Sequence, residues 1–183
     1  DVTVGGEISG RKYVGGIVGA ATRDNTGVAI LNSTNTANIN ICSEGSLAGG
    51  IAGEIHTTSP ADWMMISNCV NTGTIANFYV ERQVTTEIGG IAGSTKIPVI
   101  DCSNEGDIEI TGGTTIGGIV GQTYNSVSGS VNTGNIDAYY DIGGIAGYLF
   151  GASVTDCTNA GNLTAASIGT NDNSIERIGG IVG

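Results

Sequence analysis

The sequence offers few side chains that could carry out chemistry: one histidine, four cysteines and 17 carboxylates among 183 residues. A serine or cysteine hydrolase would have to use His56 as its base, because its nucleophile needs an imidazole within hydrogen-bond distance. No Gly-x-Ser-x-Gly nucleophile elbow accompanies this histidine. We therefore interpret His56 as an ordinary loop residue, and we expect a protein that is not an enzyme.

Cysteine chemistry would depend on where the four thiols lie. Three of them share one repeat position, which serine fills in two other copies: Ser33, Cys69, Cys102, Ser130 and Cys157. No Cys-x-x-Cys pair is present, which argues against a zinc site. If the copies stack, Cys69 and Cys102 come within bonding range, but parallel Cβ vectors suit a disulfide poorly. We expect a buried column of small side chains, and the sequence leaves open whether Cys69 and Cys102 are bonded.

The carboxylates are the remaining candidates for acid–base chemistry. The densest group is Asp101, Glu105, Asp107 and Glu109, and later repeats add Asp137, Asp141 and Asp156. Glycosidases need paired carboxylates on one face, so a carbohydrate-active protein is one interpretation. We favour a solvated polar face that keeps an apolar repeat soluble. Because no EF-hand loop is present, we expect no metal and no cofactor.

Aromatic side chains on insertions are the best candidates for ligand contact. They are Trp63 in the insertion 59–65, Tyr79 in the insertion 78–82, and the group Tyr139, Tyr140, Tyr148 and Phe150. Aromatic residues on loops of a rigid scaffold can anchor a sugar or a protein. They can equally cover the core or its end. We name Trp63, Tyr79, Tyr139 and Tyr140 as weak ligand-binding candidates.

Two motifs alternate along the chain and must position these residues. Gly-Gly-Ile-(Val/Ala)-Gly occurs six times, at 15–19, 49–53, 89–93, 117–121, 143–147 and 179–183. Between its copies lies Cys/Ser-x-Asn-x-Gly/Ala-x-Ile/Leu, whose asparagines are Asn35, Asn71, Asn104, Asn132 and Asn159. A degenerate first copy has Val4 in place of the asparagine. The sequence thus predicts one repeat array over 1–183, with units ending near 19, 53, 93, 121, 147 and 183.

The repeat predicts an all-β fold without substantial helix. Its apolar residues are mainly Ile and Val in short runs bounded by Gly, Asn, Ser and Thr. The shortest unit is close to one coil of a three-sided parallel β-helix, with three strands of about five residues each. We predict a β-solenoid of about six coils in which the asparagines form a structural ladder. In a regular strand the apolar residues on the two sides of Gly-Gly would face opposite ways, and a bend or a bulge at Gly-Gly would let both face inward. Small hairpins or a two-layer sandwich are the alternative.

Charge and composition exclude several functions. Net charge is −11 with only six Lys and Arg, so nucleic acid would be repelled and we expect no nucleic-acid partner. No apolar run approaches the roughly 18–20 residues of a membrane span, so we expect no membrane insertion by this segment. The chain begins at Asp1 and stops after a complete motif, and we expect it to be a fragment of a larger protein.

The alternation of Gly-Gly-Ile-Val-Gly with Asn-x-Gly-x-Ile resembles the GLUG-motif repeats of bacterial cell-surface and secreted proteins. That family includes adhesin-like proteins and the non-catalytic parts of some immunoglobulin A proteases. The resemblance implies an extracellular, non-catalytic segment that presents loops to a glycan or a host-surface protein. It carries no catalytic residue onto this chain. A carbohydrate-binding or carbohydrate-active β-helix is the alternative function, and an assembly domain is a third.

Overall fold

The computed structural model describes residues 1–22, 27–43, 45–77, 86–111, 115–139, 141–165 and 177–183. Within these ranges the chain is all-β and winds through six coils. The first coil contains β1 (Thr3–Val4), β2 (Glu7–Gly10), β3 (Tyr13–Gly15), β4 (Val18–Ala21) and β5 (Ala29–Leu31). The second contains β6 (Thr34–Asn35), β7 (Asn38–Ile41), β8 (Leu47–Gly49), β9 (Ala52–Ile55) and β10 (Met65–Ser67). The third contains β11 (Val70–Asn71), β12 (Ile75–Asn77), β13 (Glu87–Gly89), β14 (Ala92–Thr95) and β15 (Val99–Ile100).

The remaining coils repeat this order. The fourth contains β16 (Ser103–Asn104), β17 (Ile108–Glu109), β18 (Thr115–Gly117), β19 (Val120–Thr123) and β20 (Val127–Ser128). The fifth contains β21 (Val131–Asn132), β22 (Ile136–Ala138), β23 (Asp141–Gly143), β24 (Ala146–Leu149) and β25 (Val154–Thr155). The sixth contains β26 (Thr158–Asn159), β27 (Leu163–Ala165) and β28 (Ile178–Gly179). Val182 adds a single parallel bridge to Ala146.

Each strand pairs in parallel with its counterpart in the next coil, which produces five sheets. Sheet A holds β1, β6, β11, β16, β21 and β26, and sheet B holds β2, β7, β12, β17, β22 and β27. Sheet C holds β3, β8, β13, β18, β23 and β28. Sheet D holds β4, β9, β14, β19 and β24, and sheet E holds β5, β10, β15, β20 and β25. The predicted parallel β-helix is confirmed, and the hairpin and sandwich alternatives are wrong because every strand pair is parallel.

The expected coil of three strands of about five residues is wrong. Each of the first five coils has five strands of two to four residues. Two features shorten them. Gly-Gly bends the chain between sheets C and D, and a left-handed residue turns it between sheets E and A. At that second corner φ is 50° for Asn32, 52° for Asn68, 52° for Asp101 and 53° for Asp156. Asn and Asp tolerate this conformation better than other side chains.

The interior contains two apolar cores. In the third coil, Ile88 lies before the Gly-Gly bend and belongs to the core beneath sheets B and C. Ile91 lies after the bend and belongs to the core beneath sheets D and E. Both side chains are completely buried. The predicted bend is therefore present, and it explains how two isoleucines three residues apart both point inward.

The structure also bears on two of the exclusions made from the sequence. The part of the chain that it describes contains no helix, and so none long and apolar enough to cross a membrane. In the same residues, no group of three or more His, Cys, Asp or Glu side chains lies close enough together to hold a metal ion.

Candidate functional site

The five motif asparagines form one column through the interior. Nδ2 of each donates to Oδ1 of the next at 2.8 Å, in the order Asn35, Asn71, Asn104, Asn132 and Asn159. Each Nδ2 also donates to the carbonyl two residues later in its own coil, as Asn104 does to Gly106 at 2.9 Å. The first four side chains are completely buried. Their polar atoms are satisfied, so the column has a structural role.

The second glycine of Gly-Gly lies directly against this ladder. A Cβ at Gly118 would lie 2.5 Å from Cγ of Asn132 and would overlap the Gly144 carbonyl. Along the chain, Gly118 lies between Ile116 of one apolar core and Ile119 of the other. The asparagine ladder and the column of these glycines therefore separate the two cores. The two sequence motifs are therefore complementary parts of one contact, and glycine is required where the asparagine amide approaches.

The cysteines at the motif position are free thiols beside the core. Sγ of Cys69 lies 3.3 Å from the Ser67 carbonyl, and Sγ of Cys102 lies 3.3 Å from the Ile100 carbonyl. A hydrogen bond with Cys69 and burial raise the pKa of the Cys102 thiol. Burial also raises the pKa of the Cys157 thiol. The hydrogen bond between the two thiols lowers the pKa of Cys69 to about 7. A raised pKa keeps Cys102 and Cys157 protonated, and complete burial keeps Cys69 from reagents in solution, so this column packs as small side chains.

Sheet B presents a polar groove to the outside. The groove has a volume of about 550 Å³, and Asp107, Glu109, Asp137, Asn135 and Tyr139 are among its lining residues. Glu109 and Asp137 are register partners on neighbouring strands. Nδ2 of Asn135 donates to Oδ1 of Asp107 at 3.1 Å, which continues an outer ladder toward Asn162. The structure thus brings Asp107, Glu109, Asp137 and Tyr139 to one face. It does not bring the other acidic candidates there, because Asp101 and Asp156 lie at the left-handed corner, Glu105 follows β16 and Asp141 lies in β23.

Sheet D carries a second surface, which we call the aromatic column: His56, Lys96, Tyr124 and Phe150. Each is the third residue after a Gly-Gly-Ile-(Val/Ala)-Gly motif, so the strand register stacks them coil upon coil. Nζ of Lys96 lies 3.0 Å from Nε2 of His56 and 5.3 Å from the centroid of the Tyr124 ring. The Tyr124 and Phe150 rings are 5.2 Å apart between centroids and inclined at 47°. The sequence analysis missed Lys96 and Tyr124, although aligning the motif copies would have placed them together.

Polar side chains flank the aromatic column on the side of sheet C. The Gln122 amide nitrogen donates to Oε2 of Glu87 at 3.2 Å, and its oxygen accepts from the Tyr124 hydroxyl at 3.0 Å. Burial raises the pKa of the Glu87 carboxyl above its ordinary value, and nearby Glu54 adds to the rise. A hydrogen bond with Ser94 partly offsets both effects. This network fixes the orientation of Tyr124.

The remaining predicted residues are scattered. Trp63 is 57% exposed, and its ring covers Gly27, where a Cβ would overlap it. It lies in the loop between β9 and β10 and thus apart from the groove of Tyr139. Tyr79 and Tyr140 lie outside the described residues. His56 is half-buried in the aromatic column and accepts from Lys96.

Comparison with known proteins agrees with the repeat. The family model of the GLUG motif matches residues 138–164, which contain the last Gly-Gly-Ile-Ala-Gly and Asn-x-Gly copies of the fifth and sixth coils. No curated protein matches the sequence. Among solved structures, the crystal structure of a putative immunoglobulin A1 protease from Bacteroides ovatus is similar, with a TM-score of 0.67 and 21% sequence identity. The alignment covers 97% of this chain and 58% of that one, and at this identity it shows the fold alone. This chain is therefore a repeat protein that carries the GLUG motif and folds as a parallel β-helix.

Proposed function

We propose that this chain is a non-catalytic structural and adhesive segment of a bacterial surface protein, and that it acts outside the cell. The observation that carries the proposal is the continuous stacking of six coils, of which the second to the sixth share one asparagine ladder. Backbone pairing along the whole axis makes a stiff rod. Side chains on the outer faces are then displayed at fixed positions, as adhesion to a glycan or a host-surface protein requires.

The family model and the fold similarity support this proposal without specifying a ligand. The motif occurs in a repeat rather than in a catalytic constellation, and its residues here are Gly, Ile, Val, Ala and Asn. The protease activity named for the similar structure belongs to that protein. This chain spans 58% of its length, so any activity of a whole protein remains a separate matter.

A bead adhesion assay tests the proposal. Polystyrene beads coated with the chain should be retained on an epithelial cell layer under flow, whereas beads coated with urea-unfolded chain should wash off. The same preparation should leave immunoglobulin A1 and neutral polysaccharides uncleaved. Retention no greater than that of the unfolded coating would disprove an adhesive role, and cleavage would disprove the non-catalytic one.

A carbohydrate-active β-helix is the second candidate, because Glu109 and Asp137 lie side by side in the groove of sheet B. Paired carboxylates on one face are what glycoside hydrolysis uses. If this candidate is correct, the chain hydrolyses a polysaccharide and the double variant Glu109→Gln/Asp137→Asn does not. Absence of hydrolysis by the unaltered chain would eliminate it.

A further inference from the structure

Exposed aromatic side chains lie on and beside the strands of sheet D. Phe150 is 59% exposed, and Tyr124 and Tyr148 are each 39% exposed. Single exposed aromatic residues are common, but here Tyr124 and Phe150 are in ring contact on adjacent coils. Tyr148 lies two residues before Phe150 on the same strand and its extension, so it lies on the same outer side. Tyr124 and Phe150 are thus stacked along the axis, and Tyr148 lies beside them on the same outer face; we call these three side chains the platform.

The platform is preorganised by polar contacts. Lys96 lies over the Tyr124 ring, and Gln122 holds the Tyr124 hydroxyl. Gln122 and Tyr148 are register partners, so the amide also borders the second tyrosine. At the outer edge, Nε of Arg177 donates to Oδ1 of Asp141 at 2.8 Å. A rigid platform loses little conformational entropy when a ligand binds, which favours a binding role.

The chemistry of the platform fits a neutral sugar chain. A pyranose ring has an apolar face that packs on an aromatic ring and a hydroxyl edge that needs donors and acceptors. The platform supplies the rings of Tyr124 and Phe150, and polar groups are present at Gln122, which contacts the Tyr124 hydroxyl, and at its register partner Tyr148. Successive coils repeat about every 4.8 Å along the sheet, which is close to the length of one sugar unit in an extended chain.

The carboxylates near the platform favour a neutral sugar over an acidic one. Glu54, Glu87 and Asp141 lie near the platform, and the chain carries a net charge of −11. Arg177 is paired with Asp141, so the single ammonium of Lys96 is outnumbered by the carboxylates of Glu54 and Glu87. An anionic glycan would therefore be repelled, whereas an uncharged one would not. Protein interfaces of standard size bury roughly 800 Å² on each partner, which exceeds what three side chains offer.

We propose that Tyr124, Tyr148 and Phe150, with Gln122 at their edge, bind a neutral oligosaccharide lying along the axis of the β-helix. This inference rests on the proposed adhesive function and names the class of ligand and the surface that contacts it. It places the contact on the face of sheet D rather than on the insertion that carries Trp63. Binding is non-covalent and involves no bond cleavage.

Isothermal titration calorimetry with four neutral hexasaccharides tests this inference. The probes are β-1,4-linked glucose, β-1,4-linked mannose, α-1,4-linked glucose and β-1,4-linked galactose, with an α-1,4-linked galacturonic acid hexamer as the anionic counterpart. We expect at least one neutral probe to bind, and the double variant Tyr124→Ala/Phe150→Ala to lose tenfold or more in affinity. The acidic hexamer should bind at least tenfold more weakly than the best neutral probe.

A matched variant controls for loss of an exposed aromatic residue in general. Tyr13 is 37% exposed and lies beneath Lys12, with Nζ 5.0 Å from its ring centroid, but it belongs to sheet C of the first coil. Tyr13→Ala should therefore bind the sugar normally. Far-ultraviolet circular dichroism and urea unfolding establish that both variants remain folded.

The outcomes separate this inference from the proposed function. If no neutral probe binds, or if the acidic probe binds best, the inference is overturned even where coated beads adhere to cells. Adhesion that persists unchanged in the Tyr124→Ala/Phe150→Ala variant would point to a protein partner elsewhere and also overturn it. If the sugar binds through the platform but beads do not adhere, the glycan inference stands and the adhesive function fails.

Discussion

Nδ2 of Asn104 lies 2.8 Å from Oδ1 of Asn132, and both side chains are completely buried. Each asparagine in the middle of the ladder is both donor and acceptor. Removing one therefore takes a hydrogen bond from the asparagine on each side and from a carbonyl in its own coil. Such groups cannot turn to water, because the two apolar cores surround them. The ladder therefore couples the stability of neighbouring coils.

The first prediction concerns Asn104→Ala. It would take one of two acceptors from Nδ2 of Asn71 and remove the hydrogen bonds that Asn104 donates to Oδ1 of Asn132 and to the Gly106 carbonyl. We therefore expect the free energy of unfolding to fall by about 3–5 kcal/mol. Urea denaturation followed by circular dichroism measures this. The control is Asn135→Ala, which removes an exposed ladder contact and should cost less than about 0.5 kcal/mol. Equal losses in the two variants would contradict a special role for the buried ladder.

The second prediction concerns the glycine that faces the ladder. Gly118→Ala should destabilise the protein by about 3 kcal/mol or more, because its Cβ would displace the Asn132 amide and overlap backbone. Gly180 has the same position in the motif, yet nothing lies within 4 Å of a Cβ built there. Gly180→Ala should therefore be nearly neutral. Thermal unfolding of the two variants checks the difference, and similar melting temperatures would refute the contact as the reason for glycine.

The third prediction concerns pH. The raised pKa of Glu87 means that the folded state holds this proton more tightly than the unfolded state does. Stability should therefore decline as pH rises from the ordinary glutamate range through the raised pKa, and should then level off. In Glu87→Gln this decline should be smaller. Urea midpoints measured from pH 4 to pH 8 test the slope.

Glu105→Gln is the control for Glu87→Gln, since it removes the same charge from an exposed side chain. It should keep the slope of the unaltered chain. A Glu87→Gln profile that is parallel to the unaltered one at every pH would show that burial of this carboxyl has no effect on stability.

The fourth prediction concerns thiol reactivity. Cys42 is exposed, Cys157 is half-buried, and Cys69 and Cys102 are buried. With a disulfide reagent such as Ellman's reagent at neutral pH, we expect one fast thiol per folded chain, one slow thiol, and two that react only after unfolding. Cys42→Ser should remove the fast phase. Fast reaction of two or more thiols in that variant would contradict the packing of the cysteine column.

The sequence predicted the helical winding, the stacking of motif asparagines and the bend at Gly-Gly, because these follow from residues that recur in every unit. Asn132 and Gly118 recur for one reason, since each fills the space beside the other. The number of strands in a coil was not predicted, because the left-handed corner at Asn68 and its counterparts was not recognised. The signal was present: Asn, Asp or Gly precedes every Cys/Ser of the second motif.

The surface was harder to predict than the interior. Tyr124 and Lys96 belong to a position whose residue type varies from unit to unit, so only its constant distance from the Gly-Gly-Ile-(Val/Ala)-Gly motif marks it. Whether such a position points outward depends on the bend that precedes it, and the sequence alone left that geometry open. The aromatic residues of the insertions were considered one at a time. Tyr124 and Phe150 form a surface only because the strand register brings their rings into contact on adjacent coils.

The parallel register has a consequence for how the number of coils can change in evolution. Val70, Ser103 and Val131 occupy the same place on successive turns, so a gene that lost the segment 103–130 would bring β21 directly onto β11 with asparagine still facing asparagine. Gain of a segment works in the same way. Recombination can thus lengthen or shorten the β-helix by whole coils of about 4.8 Å each. The coils that become neighbours make the same contacts as the original ones.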